Sequence, residues 1–275
     1  QSSDRDHHSV DKQLYDNCFH ASCTYFIRRI NDPFLYRRSI DRHTYRDVLF
    51  SFCCDAIFGL ARKSTKIMKI LTYPLGELQA NCYFLIQDKD CIIIDAGDSA
   101  DFILEEVSRQ NLNVKAIVAT HGHFDHVMAV GELQASLDAP FYISSKDQFL
   151  LDRVEETAKH FLGHVPIIIP IKESTDLLGQ NSLQATGFKL QVIPTPGHTP
   201  GSICIYSKEE SALFTGDTLF KDAIGRYDFS YSNKKRLLES IMNLMKTLPE
   251  ETLVYSGHGE ITTLGEEEKS LAKFF

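Results

Sequence analysis

Two successive groups of strand-like segments, each with helical segments beside it, predict an α/β chain built as a four-layer αββα sandwich. Three observations carry this. Short apolar runs of strand length recur over residues 67–143 and again over 188–255. Helical patterns accompany both groups, at 98–107, 127–137 and 144–162 in the first and at 234–248 and 264–275 in the second. Side chains able to bind metal follow strand-like runs of both groups, which would bring their loops to one shared edge. No linker-like stretch interrupts 67–275, so that span is expected to be one domain.

Taken in order, residues 67–73 alternate loosely and read as a strand. Segments 83–86 and 91–94 are two more, joined by the polar turn Gln87-Asp88-Lys89-Asp90. Asp98-Ser99-Ala100-Asp101 offers a helix start, and Phe102, Ile103 and Val107 make an apolar stripe at helical spacing. Residues 114–119 form a buried strand, 127–137 a helix ended by Asp138-Ala139-Pro140, and 141–143 another strand. Segment 144–162 is expected to be largely helical with a surface-like charge pattern. Pro166 and Pro170 interrupt the apolar segment 165–171, which suits an edge or a loop better than a central strand. Segments 188–193, 203–206 and 212–214 are strands of a second sheet. A helix over 234–248 is stopped by Pro249, residues 252–255 are the last strand, and 264–275 a closing helix.

The chemistry concentrates in Thr120-His121-Gly122-His123-Phe124-Asp125-His126, directly after the strand at 114–119. Four residues able to bind a metal fall within six positions. His121 and His123 point the same way where the backbone is extended. Asp125 and His126 follow a bend and can face the same space from another side, an arrangement that suits two adjacent metals better than one. Three nitrogens and a carboxylate form a borderline set, right for Zn, Fe or Mn rather than Mg or Ca. Further ligands come later: His198 in Pro196-Gly197-His198-Thr199-Pro200-Gly201, Asp217 after Phe214-Thr215-Gly216, and His258 in Ser256-Gly257-His258-Gly259. Each follows a strand-like run and lies among glycines that let the backbone bend sharply.

From about Met68 to the C-terminus the chain resembles the metallo-β-lactamase superfamily, and within it the short glyoxalase II-like hydrolases that lack a C-terminal helical domain. The residues that carry the resemblance are Asn81-Cys82-Tyr83, Ile94-Asp95-Ala96-Gly97, His121 to His126, Pro196 to Ser202, Gly216 to Phe220, Ile224-Gly225-Arg226 and Gly257-His258-Gly259. The resemblance implies that His121, His123 and His198 hold one metal, that Asp125, His126 and His258 hold a second, and that Asp217 bridges them. It implies two divalent ions, with Zn first and Fe or Mn as alternatives. A hydroxide shared by the two ions would be the nucleophile, oriented by Asp125. Asp95 would lie beneath the metals and hydrogen-bond a ligand loop. The implied substrate is a thioester such as S-lactoylglutathione. Arg226 matches a basic position that grips the glutathione glycine carboxylate, with Tyr227 beside it; a salt bridge within the loop is the equally weighted alternative for Arg226. Asp228 and Glu260 stand where the family has tyrosines, so tight glutathione specificity is not expected.

Other activities on related scaffolds are a mono-iron persulfide dioxygenase, suggested by Gly225-Arg226-Tyr227-Asp228, and a lactonase. A β-lactamase ranks lower, because many carry Cys where Asp217 stands. A metal-binding module without catalysis would be expected to have lost a ligand, and none is lost.

The formal charge of −8 gives no overall basic field for nucleic acid, and no apolar run reaches membrane-spanning length. Seven cysteines do not suggest a disulfide framework, so a reducing cytoplasm is the expected location and Cys82 and Cys91 read as buried thiols. His160 and His164, four apart around Gly163, are not expected to be ligands but can line a lid. Residues 1–66 differ in composition: they hold Cys18, Cys23, Cys53 and Cys54, favour Arg among their basic residues and contain no Glu. This stretch, which begins at Gln1, is expected to lie outside the catalytic fold as upstream translated sequence, a targeting extension or an appendage. Asp4, Asp6, Asp11 and Asp16 argue against an organelle transit peptide. Cys53-Cys54 and His7-His8 read as free thiols and solvated imidazoles.

Overall fold

Strand β2 (Ala80–Gln87) is buried along its whole length, and so is β3 (Asp90–Ile94) after its first residue. Such unbroken burial requires both faces of the sheet to be covered. The alternation of side chains shows what covers each face. Cys82, Phe84, Cys91 and Ile93 pack outward with Ile103, Val107 and Leu133. Tyr83, Leu85, Ile92 and Ile94 pack inward with Leu190, Val192, Ile203, Ile205 and Phe214 of a second sheet. The far side of that sheet, with Cys204, Tyr206 and Leu213, meets Leu237, Ile241 and Leu244. Three apolar cores stacked in this way make four layers, as the sequence predicts.

This computed structural model describes residues 68–271, except 165, 178, 180, 181 and 184–186. All belong to one compact unit, Lys66–Phe275. The expectations for 1–66 and for the end of the closing helix at 272–275 lie outside the described residues, as does residue 67 of the first strand.

The first sheet runs β1 (Lys69–Leu75), β2, β3, β4 (Asn113–Val118), β5 (Phe141–Ile143), β6 (Thr175–Asp176). Its first two pairings are antiparallel and the rest parallel. The second sheet contains β7 (Ser182–Leu183), β8 (Leu190–Pro194), β9 (Ile203–Ser207), β10 (Ala212–Gly216), β13 (Leu253–Ser256) and β14 (Thr262–Thr263), in the order 14-13-10-9-8-7. A small ribbon, β11 (Leu219–Phe220) with β12 (Ala223–Ile224), follows β10. The parallel strands β10 and β13 pair Gly216 with Ser256. That register puts Asp217 and His258 side by side at the strand ends, where β4 and β8 also release their loops.

The helices are α1 (Ala100–Arg109), α2 (Phe124–Val127), α3 (Val130–Ser136), α4 (Gln148–Leu151), α5 (Val154–Leu162), α6 (Lys234–Thr247) and α7 (Leu264–Ser270). Two expected helices are interrupted. The one at 127–137 starts earlier, inside the histidine motif, and breaks after α2. There the Ala129 amide donates to the Ala96 carbonyl at 3.2 Å instead of continuing the helix. The one at 144–162 opens with a 3₁₀ turn, Ser145–Asp147, which turns Asp147 inward to full burial. Segment 166–171 has no regular structure, as expected. Cys82, Cys91 and Cys204 are buried free thiols. No helix among the described residues is long and apolar enough to cross a membrane.

Candidate metal centre

The seven side chains predicted as ligands converge in two groups at the common edge. His121, His123, His198 and Asp217 offer ligand atoms within 4.8 Å of one another, and so do Asp125, His126 and His258. In the first group His121 Nε2 and His198 Nε2 each lie 3.0 Å from His123 Nδ1. Asp217 reaches both groups. Its Oδ2 is 3.6 Å from His198 Nε2, and its Oδ1 is 3.4 Å from His126 Nε2 and 3.9 Å from His258 Nε2. Asp125 Oδ2 is 3.3 Å from His258 Nε2.

The opposite nitrogen of every histidine has an outer partner. His198 Nδ1 donates to the Arg226 carbonyl at 2.8 Å, and His258 Nδ1 to the Leu78 carbonyl at 3.1 Å. His126 Nδ1 donates to Asp95 Oδ2 at 3.0 Å. Thr120 Oγ1 donates to the same carboxylate at 2.8 Å and accepts from His121 Nδ1 at 3.1 Å. His123 Nε2 pairs with the Tyr231 hydroxyl at 2.8 Å. In a neutral imidazole, an outer partner that accepts the opposite N–H leaves the inner nitrogen with a lone pair free for a metal. With lone pairs inward, the His121 and His198 nitrogens, each 3.0 Å from that of His123, repel it unless a cation lies between them. His126 Nε2 and Asp217 Oδ1 are buried, face each other, and have no hydrogen-bond partner. The donor set therefore fits one cation per group, with imidazole and carboxylate ligands that suit Zn, Fe or Mn.

The electrostatics agree. Burial, with neighbouring imidazoles, pushes His123 down to about 3 and His121 well below its ordinary value. Burial also works against a charged His126, yet Asp125, Asp217 and Asp95 together hold it well above its ordinary value. His258 is likewise raised, burial being outweighed by its hydrogen bond to Asp125 and the charge of Asp217. Burial opposes the Asp217 carboxylate, but the charge of His126, with those of His121 and His198, keeps it well below the usual range. A raised imidazole carries its proton at neutral pH, and that proton must leave before the nitrogen can bind a cation. Metal uptake by chelator-stripped protein at pH 7 is therefore expected to release at least about one proton per chain, with affinity rising as pH rises. A pH-stat titration checks this; uptake without proton release would contradict the assignment.

Asp95 takes the predicted place beneath the ligands, accepting from the Thr120 amide at 2.7 Å as well as from Thr120 Oγ1 and His126. Arg226 and Tyr227 are exposed. The Arg226 guanidinium grips Asp228 at 3.0 and 2.8 Å and lies 4.4 Å over the Phe229 ring. The loop salt bridge weighed for it is thus present. Tyr227 is capped by Lys234 at 5.0 Å. His164 bonds Glu77 at 2.7 Å and belongs to neither ligand group, nor does His160. Sequence reasoning missed three contributors. Asn81 holds the His258 loop through the Ser256 and Gly259 carbonyls at 3.0 and 3.1 Å. Tyr231 pairs with His123 and stacks on Phe229 at 5.4 Å. Asp147, read as part of a surface helix, is buried against two ligand loops. Only Asn81 had a sequence signal, through its motif.

The sequence model of the metallo-β-lactamase superfamily matches residues 75–258, a span that contains all seven candidate ligands. The chain belongs to the metallo-β-lactamase superfamily. It is 34% identical to hydroxyacylglutathione hydrolase GloC of Haemophilus influenzae over 206 residues, 74% of this chain and 96% of that protein. Among solved structures it is similar to BLEG-1 B3 metallo-β-lactamase, with 36% identity, TM-score 0.68, and coverage of 73% of this chain and 97% of that one. It is also similar to TTHA1623 in a di-iron-bound form, with 35% identity, TM-score 0.67, and coverage of 73% and 98%. The chain is a metallo-hydrolase of this superfamily.

Proposed function

We propose that the chain is a binuclear hydrolase of small thioesters, with S-lactoylglutathione as the representative substrate. The observation that carries the reading is Asp217, whose two oxygens face different ligand groups, at 3.4 Å from His126 Nε2 and 3.6 Å from His198 Nε2. The 34% identity to a hydroxyacylglutathione hydrolase across nearly its whole length supports the substrate class. Two dications held there would supply Lewis acidity, acidifying a water and polarising the thioester carbonyl.

The chain's own residues supply the rest. The five histidines are held by outer partners, so the pocket is preorganised before any substrate enters. Asp125 turns Oδ2 toward His258, and its other oxygen can accept a water hydrogen and aim the attack at the carbonyl carbon. The C–S bond then breaks and the sulfur leaves as thiolate. Phe229 and Tyr231, stacked beside His123, give an acyl group an apolar wall. No protein nucleophile is required, and none is poised among the described cysteines: burial raises Cys91 and Cys204 to about 12 and Cys82 well above its ordinary value. Arg226 is occupied by Asp228, so a glutathione carboxylate would have to compete for it.

The test is S-lactoylglutathione hydrolysis by the purified chain, with and without chelator. Turnover with KM toward the weak end, about 1 mM, is expected. It should be lost on metal removal and restored by Zn, Fe or Mn. The likeness to BLEG-1 favours a second reading, cyclic-amide hydrolysis, so a cephalosporin belongs in the same assay. A metal-loaded protein that leaves S-lactoylglutathione intact overturns the thioester reading.

A further inference from the structure

Asp147 is fully buried, has no cationic side chain paired with it among the described residues, and directs its side-chain hydrogen bonds at the loops of the candidate metal centre. Its Oδ2 accepts from the Gly122 amide at 3.0 Å and from Thr199 Oγ1 at 2.6 Å, and its Oδ1 accepts from the Gly201 amide at 2.7 Å. Gly122 lies between His121 and His123, and Thr199 follows His198 directly. One carboxylate therefore ties together the two loops that supply all three histidines of the first group. The loops approach it closely: a Cβ at Gly201 would lie 2.5 Å from Asp147 Oδ1. A buried carboxylate without a counter-ion is tolerated only when several donors meet it. Burial still raises its pKa despite these three donors.

Among the described residues, no hydrogen bond or ion pair joins Asp147 to the second group. Asp125, His126 and His258 are held instead by one another, by Asp95 and by the Leu78 carbonyl. Asp95 serves both sides, reaching His126 directly and His121 through Thr120. The two groups thus differ in their outer support.

We propose that Asp147 is a positioning residue dedicated to the His121–His123–His198 group, setting the affinity of that cation position independently of the second. This rests on the two-ion reading given above. Asp147 touches no inner nitrogen, so it acts by holding the loops at the spacing that makes the three inner nitrogens converge.

Asp147→Asn keeps the shape but sets an amide NH₂ against a backbone N–H or the Thr199 hydroxyl. Thr199→Val removes a single donor and leaves the carboxylate with two amides. The full chain and both variants are loaded with cobalt(II) and titrated with a chromogenic chelator while the visible bands are followed. For Asp147→Asn, one of two release steps is expected to weaken about 10- to 100-fold, with the other unchanged. Thr199→Val is expected to shift the same step by less. The cobalt bands of the weakened step should change, since the ligand geometry loosens. In metal-free samples the Gly122 and Gly201 amides should exchange faster with solvent in Asp147→Asn.

Equal weakening of both steps, or two unshifted steps in both variants, overturns the proposal. If Asp147→Asn fails to fold, Thr199→Val decides, a single shifted step supporting it and an unshifted pair overturning it. A wild-type chain that takes up fewer than two ions refutes the two-ion reading instead. The amide exchange needs no ion and then still decides, faster exchange supporting the role of Asp147 and unchanged protection overturning it.

Discussion

Asp217→Ala is expected to leave a folded protein that holds at most one ion and has kcat/KM at least about a thousand-fold lower, roughly 4 kcal/mol of lost transition-state stabilisation. The size follows from position. Among the described candidate ligands, Asp217 alone has its two oxygens facing different groups, so its loss would remove a donor from both. It also removes a negative charge from among five histidines, each of which then sees less compensation for a bound dication. The fold should survive. The β10–β13 pairing is complete before Asp217, ending where the Gly257 amide donates to the Gly216 carbonyl at 2.8 Å. Asp217→Asn keeps one oxygen and the shape, and is expected to fall between wild type and alanine. Metal content, far-ultraviolet circular dichroism and S-lactoylglutathione turnover on the same samples check this. Activity within tenfold of wild type in Asp217→Ala, with two ions still bound, would remove the bridging role.

The extent to which this centre was legible follows from where its residues sit. His121, His123, His198, Asp217 and His258 each follow a strand of four to six residues, β4, β8, β10 or β13, and lie beside glycines. Strand period and turn chemistry are local, so the common edge could be read before the fold was seen. The layer order was legible for the same reason: 82–86 of β2 and 91–94 of β3 are unbroken apolar runs, as a sheet covered on both faces requires. Strands β6, β7, β11, β12 and β14 were not, because two residues carry no period and their pairing is set by the chain they meet. The break after α2 was hidden because its cause, the Ala96 carbonyl, is remote in sequence. Asp147 was hidden most completely. Among Ser144, Ser145 and Lys146 it reads as a solvated helix start, and only the arrival of Gly122, Thr199 and Gly201 makes it a buried acceptor. The Arg226–Asp228 pair lay within two residues and could be read either way until its geometry was known.

Gly97→Ala is expected to destabilise the metal-free protein by about 3 kcal/mol and to release the ion of the Asp125–His126–His258 group first. Gly97 ends the loop that begins at Asp95. The Asp125 carbonyl packs so closely on Gly97 that a Cβ there would overlap it, with the His126 amide nitrogen at 3.3 Å. The obstacle is backbone in the first turn of α2, which cannot rotate aside as a side chain could. Relief requires α2 to move away from the 95–97 loop as a unit. Two bonds across that junction are then lost or stretched, the Ala129 amide to the Ala96 carbonyl at 3.2 Å and His126 Nδ1 to Asp95 Oδ2 at 3.0 Å. Because α2 carries both Asp125 and His126, the displacement falls on two of the three ligands of that group together. His121 and His123 precede the helix in an extended segment held by Thr120 and by Gly122, and should move less. Urea midpoints of metal-free wild type and variant measure the first effect, and the order of ion release to a chelator measures the second. A midpoint shift worth less than about 0.5 kcal/mol would mean that the loop yields where the close packing says it cannot. Loss of the three-histidine ion first would mean that strain at α2 travels through the motif instead of stopping at His123.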